Sequence, residues 1–419
     1  MARADVSPRP WARPPARTLA GVAVARSAVR LATALGHGGS VIGGQVMLAV
    51  DRDALSHLRG RRAIALVSGT NGKTTTTAFL AAAVAQGRRV TTNEAGANLE
   101  TGIASTLALG DRSAPAVLEV DEAVLPGAME KLRPDVVVLL NLSRDQLDRY
   151  GEVRTTAACW RNALRSFGGS VVANADDPLV VWPALATGPM SVQWVAVGDS
   201  WTGDAAVCPA CGHRVVRAAG DWSCTGCPLR RPTPDLSLGD GALVLAGGPP
   251  VPVALRLPGR CNLGNAAMAV AAAVALGVDP HAAAGAIGGV GGSGGRYRVV
   301  TLGDTRARLL LAKNPASWLE TLQLLQPAPV PVLLALNAEA ADGRDPSWLW
   351  DVPFELLGDR PVWVTGKRAA DMAVRLHYAG VAFRQADDDP LTAVRTLGPG
   401  DTDVIANYTA FRRLATLTE

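Results

Sequence analysis

Lysine is scarce in this sequence: among 419 residues there are only Lys73, Lys131, Lys313 and Lys367. The positive charge is therefore almost all arginine, and a net charge of +4 gives no case for nucleic acid as a partner. No apolar run reaches the length of a membrane span. A secretion signal is also lacking, because Arg26 and Arg30 interrupt the Ala/Val/Leu stretch at 18–35 that would form its core. The expected location is the cytoplasm. Cysteine is limited to six residues with no disulfide framework, and two of them, Cys159 and Cys261, stand alone.

The chain is too long for one ordinary core, and 48% hydrophobic residues suit globular folding into two or three domains. Residues 1–17 are rich in Pro and Arg and predict a disordered tail. Residues 18–35 read as an ordinary first helix or as a basic amphipathic helix at a membrane surface. Tail and helix together make up 1–40. A strand is expected from Val46 to Val50.

The stretch Ala63 to Thr77 organises the rest. An apolar run reads as a buried strand, Gly69-Thr70-Asn71-Gly72-Lys73-Thr74 as a tight turn, and Thr75 onward as a helix stopped by Gly87. Strand, glycine loop and helix start are what a phosphate cradle needs, since N–H groups at a helix N-terminus point at the anion. Lys73 would reach the β/γ-phosphates, and the Thr74 or Thr75 hydroxyl would sit on Mg²⁺. Only two residues separate Gly69 from Gly72-Lys73, fewer than in the common phosphate loop.

Further strands are expected at Val90–Asn93, Ala116–Glu122, Asp135–Leu140 and Ser170–Asn174, alternating with helices. That alternation predicts a doubly wound, mostly parallel sheet whose ligands bind at the carboxyl ends of strands. Lys73, Asn93, Glu119, Asn141 and Asn174 all fall at such ends. Glu119 is the best Mg²⁺ ligand of the set; the plainer reading of Glu119, Asp121 and Glu122 is a solvated turn.

Residues 201–235 break this pattern. Cys208, Cys211, Cys224 and Cys227 are spaced C-x2-C-x12-C-x2-C, which predicts a closed, structural Zn²⁺ ribbon whose metal supplies folding energy. Asn262 and Asn265 share one helix face, to bond a base or ribose or to cap the helix. Gly291 to Arg296 is a flexible linker, so the central domain is expected over 41–295 and a smaller α/β domain over 296–419. In the latter, the loop Asp342-Gly343-Arg344-Asp345-Pro346-Ser347-Trp348-Leu349-Trp350-Asp351 stands out by its three acids and two tryptophans. It reads as functional, or as a solvated turn over packed tryptophans.

The loop Gly-Thr-Asn-Gly-Lys-Thr-Thr resembles that of the Mur ligase superfamily. Glu119-Val120-Asp121-Glu122, Asn141 to Gly151, Asn174 to Pro178, Gly259 to Asn265 and Gly295-Arg296 extend the resemblance from about residue 45 to the end. It implies an ATP-dependent ligase that activates a carboxylate as an acyl phosphate, with Lys73 and Thr74 on phosphate, Glu119 on Mg²⁺, and Asn262, Asn265 and Arg296 on nucleotide. Three features resemble a particular branch: no long N-terminal domain for the nucleotide sugar, the four-cysteine ribbon, and the acidic loop. Members of that branch pair with a GatD-type glutaminase subunit and amidate the second-position D-glutamate of lipid II to D-isoglutamine. Asp345, then Asp351 and Asp342, are the acids expected to complete the partner's Cys-His site.

The sequence departs from the family in three places. Gln146 replaces the His after the Asp of the NxxxDHLD segment and would bind Mg²⁺ more weakly. No lysine lies between Lys131 and Lys313, so the carbamylated lysine of many members is missing. Cys261 replaces the usual aromatic or His. Neither Cys159 nor Cys261 sits in a glycine-rich elbow, so ammonia must come from a partner. The alternative is a stand-alone amino-acid ligase of the folylpolyglutamate synthase type.

Overall fold

A computed structural model describes residues 13–35, 41–93, 96–145, 152–198, 201–291, 297–339 and 342–416. The expected Gln146 and Arg296 lie outside these residues.

Among the described residues, the main sheet of the central domain has nine strands. Short runs rich in Val, Leu, Ile and Ala, largely buried on both faces, form β1 (Ile64–Ser68), β3 (Ala116–Glu119), β4 (Val136–Leu139), β5 (Ser170–Asn174) and β6 (Val192–Ala196), and the half-exposed pair Thr91–Thr92 forms the edge strand β2. Near-continuous apolar strands of this kind belong to parallel sheets covered on both sides. These six are all parallel, in the order β6-β5-β4-β1-β3-β2. A ribbon hairpin, β7 (Val215–Ala218) and β8 (Asp221–Cys224), then leaves the sheet. The chain returns as β9 (Leu236–Leu238), β10 (Ala242–Leu245) and β11 (Val251–Pro252), which extend the β6 edge. Expectation and structure agree on the doubly wound sheet and its insert; the β9–β11 edge was not foreseen.

One sheet face packs helices Lys73–Ala85, Arg260–Ala275 and Pro280–Gly288, through Phe79, Leu80 and the alanines of the second. Those alanines let the helix lie close to the phosphate-loop helix. The other face packs Glu100–Leu109, Leu125–Leu132, Val153–Leu164 and Pro178–Ala184. Ribbon residues Cys208, Val215, Trp222 and Leu229 join this second core, so the insert is anchored to the sheet domain.

The strand expected at Val46–Val50 is a helix, Ile42–Val50. A short apolar run does not by itself distinguish the two, and the glycines decide it here. A Cβ on Gly44 would lie 1.7 Å from the Thr101 carbonyl oxygen, so only glycine lets this helix press on Glu100–Leu109. The first helix, Ala16–Ala34, buries Val22 and Ala25 in the same core as Met47, joining the sheet domain rather than trailing from it. No helix among the described residues is long and apolar enough to cross a membrane.

Among the described residues, the C-terminal domain is built on a six-stranded sheet. β12 (Tyr297–Leu302) and β13 (Thr305–Leu311) form an antiparallel hairpin. β14 (Val332–Ala335), β15 (Val362–Thr365), β16 (Arg384–Gln385) and β17 (Gly400–Ala406) are parallel, in the order β12-β13-β17-β14-β15-β16. Trp318 and Phe354 centre its core, their rings edge to face at 5.4 Å. The carboxyl end of β13 leads into Lys313 and the capping-box residue Asn314, at the seam with the sheet domain.

Candidate functional site

β1 ends at Ser68 and the chain turns through Gly69 (φ 146°) and Gly72 (φ 84°) before the helix starts at Lys73. Both glycines are required. A Cβ on Gly69 would sit 2.8 Å from the Leu140 side chain, and one on Gly72 would sit 2.4 Å from Asn265 Oδ1. The loop is clasped from behind by the segment following β4. The Asn141 carbonyl accepts from Thr70 N–H (2.9 Å), Asn141 Oδ1 from Asn71 N–H (2.9 Å), and the Thr70 hydroxyl from Ser143 N–H (3.0 Å). The Asn141 amide in turn donates to the Asn71 carbonyl at 3.0 Å. Thr74 is half-buried and Thr75 buried in the first helical turn.

Lys73 is buried. Its ammonium donates to the Gly69 carbonyl (2.6 Å) and to Glu122 Oε2 (2.8 Å). Burial acts to raise the Glu122 carboxyl, but the Lys73 charge, aided by Lys313, outweighs it and holds the group below the ordinary carboxylate range. Lys313 itself pairs with Asp145. Two of the four lysines thus meet at the phosphate loop, one from each domain. Sequence reasoning missed this use of Glu122 and Lys313; the scarcity of lysine was the available signal.

Glu119 is buried at the end of β3. Its Oε1 accepts from Asn98 Nδ2 (3.1 Å), and its N–H donates to Asn93 Oδ1 (2.8 Å). Asn93 therefore fixes the backbone that carries the carboxylate. One acid ready for Mg²⁺, with Thr74 on the adjoining helix, fits a cation that keeps several waters.

Between the strand ends and the helix Pro315–Gln323 lies a cleft of about 550 Å³, lined by Asn71, Gly72, Asn141, Asn174, Asn265 and Glu320 among others. That volume suits a nucleotide. Asn265 faces the cleft, whereas Asn262 donates to the Pro258 carbonyl at 2.6 Å and holds the helix entry. Of the two, Asn265 is the one placed for a ligand. Cys261 also lines the cleft; burial and the neighbouring Glu320 carboxylate push its thiol far up, so it is no nucleophile. Arg217, from the ribbon strand β7, reaches the same cleft and was not foreseen.

The four ribbon cysteines bring their sulfurs within 4.8 Å of one another, with Cys211–Cys224 at 3.3 Å and Cys208–Cys227 at 3.7 Å. Tetrahedral Zn–S bonds of about 2.3 Å require sulfurs about 3.8 Å apart, so the set fits zinc. Trp222 Nε1 donates to the Ala175 carbonyl (3.0 Å) and Arg231 pairs with Asp176 (2.7 Å), which fastens the ribbon to the end of β5.

The three acids of the C-terminal loop differ in their surroundings. Asp342 is buried and accepts from Thr409 N–H (2.9 Å) and its hydroxyl (2.5 Å), so it serves the fold. Asp351 pairs with Arg144 at 3.1 Å. Asp345 is exposed, its carboxylate accepting only from Ser347 N–H and hydroxyl among the described contacts. Trp348 stacks toward Trp318 at 6.3 Å, whereas Trp350 is exposed.

A nucleotide-sized cleft at the carboxyl ends of a parallel sheet, closed by a second α/β domain, defines a Mur-type ligase. Residues 67–190 match the Mur ligase middle domain, and residues 311–411 match the MurT ligase C-terminal domain. Solved structures with this fold include a pseudomurein peptide ligase type C from Methanothermus fervidus (TM-score 0.68, 18% identity, 84% of this chain and 77% of that one). MurF from Acinetobacter baumannii is another (TM-score 0.64, 17% identity, 91% and 80%). Curated relatives include the lipid II isoglutaminyl synthase (glutamine-hydrolyzing) subunit MurT of Streptococcus pneumoniae, 32% identical over 87% of each chain. The Staphylococcus aureus N315 subunit of the same name is 29% identical over 92% of this chain and 94% of its own length. The chain belongs to the MurT family of ATP-dependent ligases.

Two outcomes follow from this geometry. Cys208→Ser with Cys211→Ser should abolish stoichiometric zinc and lower the melting temperature; purified protein without zinc would contradict the ribbon assignment. A carboxyl held low by its partner contributes stability that is full above the ordinary glutamate value, about 4.3, and is lost as pH falls through the lowered one. Glu122→Gln should therefore lower the melting temperature at neutral pH, with the gap to wild type closing in acid. A gap independent of pH would show that the ion pair contributes nothing.

Proposed function

We propose that this chain is the ligase subunit that amidates the α-carboxyl of D-glutamate in the lipid II stem peptide, giving D-isoglutamine. Lys73, Asn265 and the Gly69–Thr75 loop hold ATP, with Arg296 as a further nucleotide contact. Glu119 and Thr74 would hold Mg²⁺, joined by Gln146; the ion neutralises phosphate charge when bound. A carboxylate oxygen attacks the γ-phosphorus and ADP leaves, giving an acyl phosphate. Ammonia then attacks the acyl carbon, phosphate departs with that carboxylate oxygen, and nitrogen loses a proton. Lys73 and Lys313 stabilise the negative charge that both steps develop.

Ammonia is mostly protonated at neutral pH and is a poor free nucleophile, which favours delivery by a GatD-type glutaminase partner. The observation that carries this reading is the acidic loop at the domain seam, contacting through Asp351 the segment that clasps the phosphate loop. Asp345 is the acid most open to a partner. There it would orient the His of the Cys-His pair and stabilise its imidazolium. Asp351 is second, and Asp342, tied to Thr409, third. The match to the MurT C-terminal domain weighs against a stand-alone ligase. The outer face of the first helix exposes Leu19, Val24 and Leu31 beside Arg26 and Arg30, which favours contact with the membrane that carries the substrate.

Asp345→Asn keeps volume and removes charge, so the complex should still assemble. Glutamine hydrolysis should fall by orders of magnitude, while amidation at high added ammonia should survive. Unchanged glutaminase activity would assign the acid to another residue, and loss of the ammonia-driven reaction would place Asp345 in the ligase site.

A further inference from the structure

Arg144 follows directly on the segment that clasps the phosphate loop. Its neighbour Ser143 exchanges two hydrogen bonds with the Thr70 hydroxyl, at 3.0 and 3.2 Å. Its own backbone N–H donates to Asp204 Oδ2 at 3.0 Å. Its guanidinium is shared by two carboxylates from different parts of the chain, Asp204 and Asp351. Asp204 lies in the turn entering the zinc ribbon, is nearly fully buried, and also accepts from Trp201 Nε1 at 2.6 Å. Asp351 closes the acidic loop and is more exposed.

The planar fork of arginine suits this arrangement, because it can satisfy two carboxylates at once and cannot lose its charge. Asp204 holds one edge of the fork from a buried, fixed position. The other edge is thereby aimed at the loop. Arg144 also lines a small cavity of about 90 Å³ with Asp345, Trp348, Lys313 and Asn314. Asn314 in turn exchanges hydrogen bonds with Asn71 of the phosphate loop, at 3.1 and 3.3 Å. The loop of acids and the nucleotide cleft are therefore joined by two short connections, one through Arg144 and one through Asn314.

We propose that Arg144 is a positioning residue: it clamps Asp351 and so sets the acidic loop, with Asp345 on it, in register with the phosphate loop. Rigid coupling through Ser143 and Thr70 passes a displacement of the phosphate loop to the loop that serves the partner. This rests on the glutaminase-partner reading above.

Two measurements test it. In the complex with the glutaminase subunit, Arg144→Gln should cut glutamine-driven amidation on the order of tenfold and leave ammonia-driven amidation near wild type. Arg144→Lys, which keeps the charge without the fork, should recover part of the loss. The double variant Arg144→Gln, Asp351→Asn should be no worse than Arg144→Gln alone, because Arg144→Gln has already removed the contact that Asp351→Asn would break. Equal loss by both ammonia routes, additive effects, or no effect would each overturn the proposal. Hydrogen exchange in the chain by itself reads the clamp without any partner. Arg144→Gln should speed exchange across residues 345–352 and leave the ribbon hairpin unchanged; unaltered exchange there would overturn it. A wild-type complex that amidates with neither glutamine nor ammonia would instead refute the functional reading, while the exchange result still judges the clamp.

Discussion

The clasp between the phosphate loop and the segment after β4 is the constraint on which the rest of the structure depends. Thr70 and Asn71 have side-chain and backbone groups that must be satisfied where the chain leaves β1 and turns into the helix. Asn141 and Ser143 supply those partners from behind. Parallel pairing of β1 with β4 brings the two segments side by side, since Ser68 and Leu139 are in register. The loop is thus preorganised by the sheet rather than by the anion, and the ordering entropy is met during folding. The same pairing explains why Gly69 tolerates no side chain: Leu140 and Asn141 occupy the space.

Charge is distributed around that clasp with little to spare. Lys73 and Lys313 approach from opposite domains, and Glu122 and Asp145 hold them. Breaking either pair by removing one member leaves a charge without its partner in a partly dehydrated seam, a costly state. Asn71 and Asn314 add a neutral bridge across the same seam. Domain closure and phosphate binding consequently draw on one set of groups. The zinc ribbon works at the other end of the cleft. It ties Asp176 and Ala175 at the end of β5 and places Arg217 at the cleft wall. The four-cysteine ribbon therefore helps to shape the wall of the cleft.

How much of this was legible follows the range of each interaction. The phosphate loop and the ribbon were readable because their ligands are close in sequence and their glycines or cysteines have few other uses. The parallel sheet was readable from buried apolar runs ending in polar residues at Asn93, Glu119, Asn141 and Asn174. Ile42–Val50 was misread because its apolar run is short and its helical state is set by contact with Thr101 and Ser105, far along the chain. Asn262 and Asn265 share a face, yet only the fold shows that one is tied to Pro258 and the other faces the cleft. The sequence ranks Asp345 ahead of Asp351 and Asp342, yet only the fold shows Thr409 on Asp342 and Arg144 on Asp351. Long-range pairing of charged side chains leaves no local pattern to read.

The central claim is that this cleft activates a carboxylate by phosphorylation. The most direct measurement supplies the complex with ATP, ammonia and lipid II labelled with ¹⁸O in the α-carboxylate of its D-glutamate. An acyl phosphate requires one carboxylate oxygen to leave with phosphorus, so the inorganic phosphate released should carry ¹⁸O, one label per amide formed. Phosphate free of label, with amide still produced, would contradict the account.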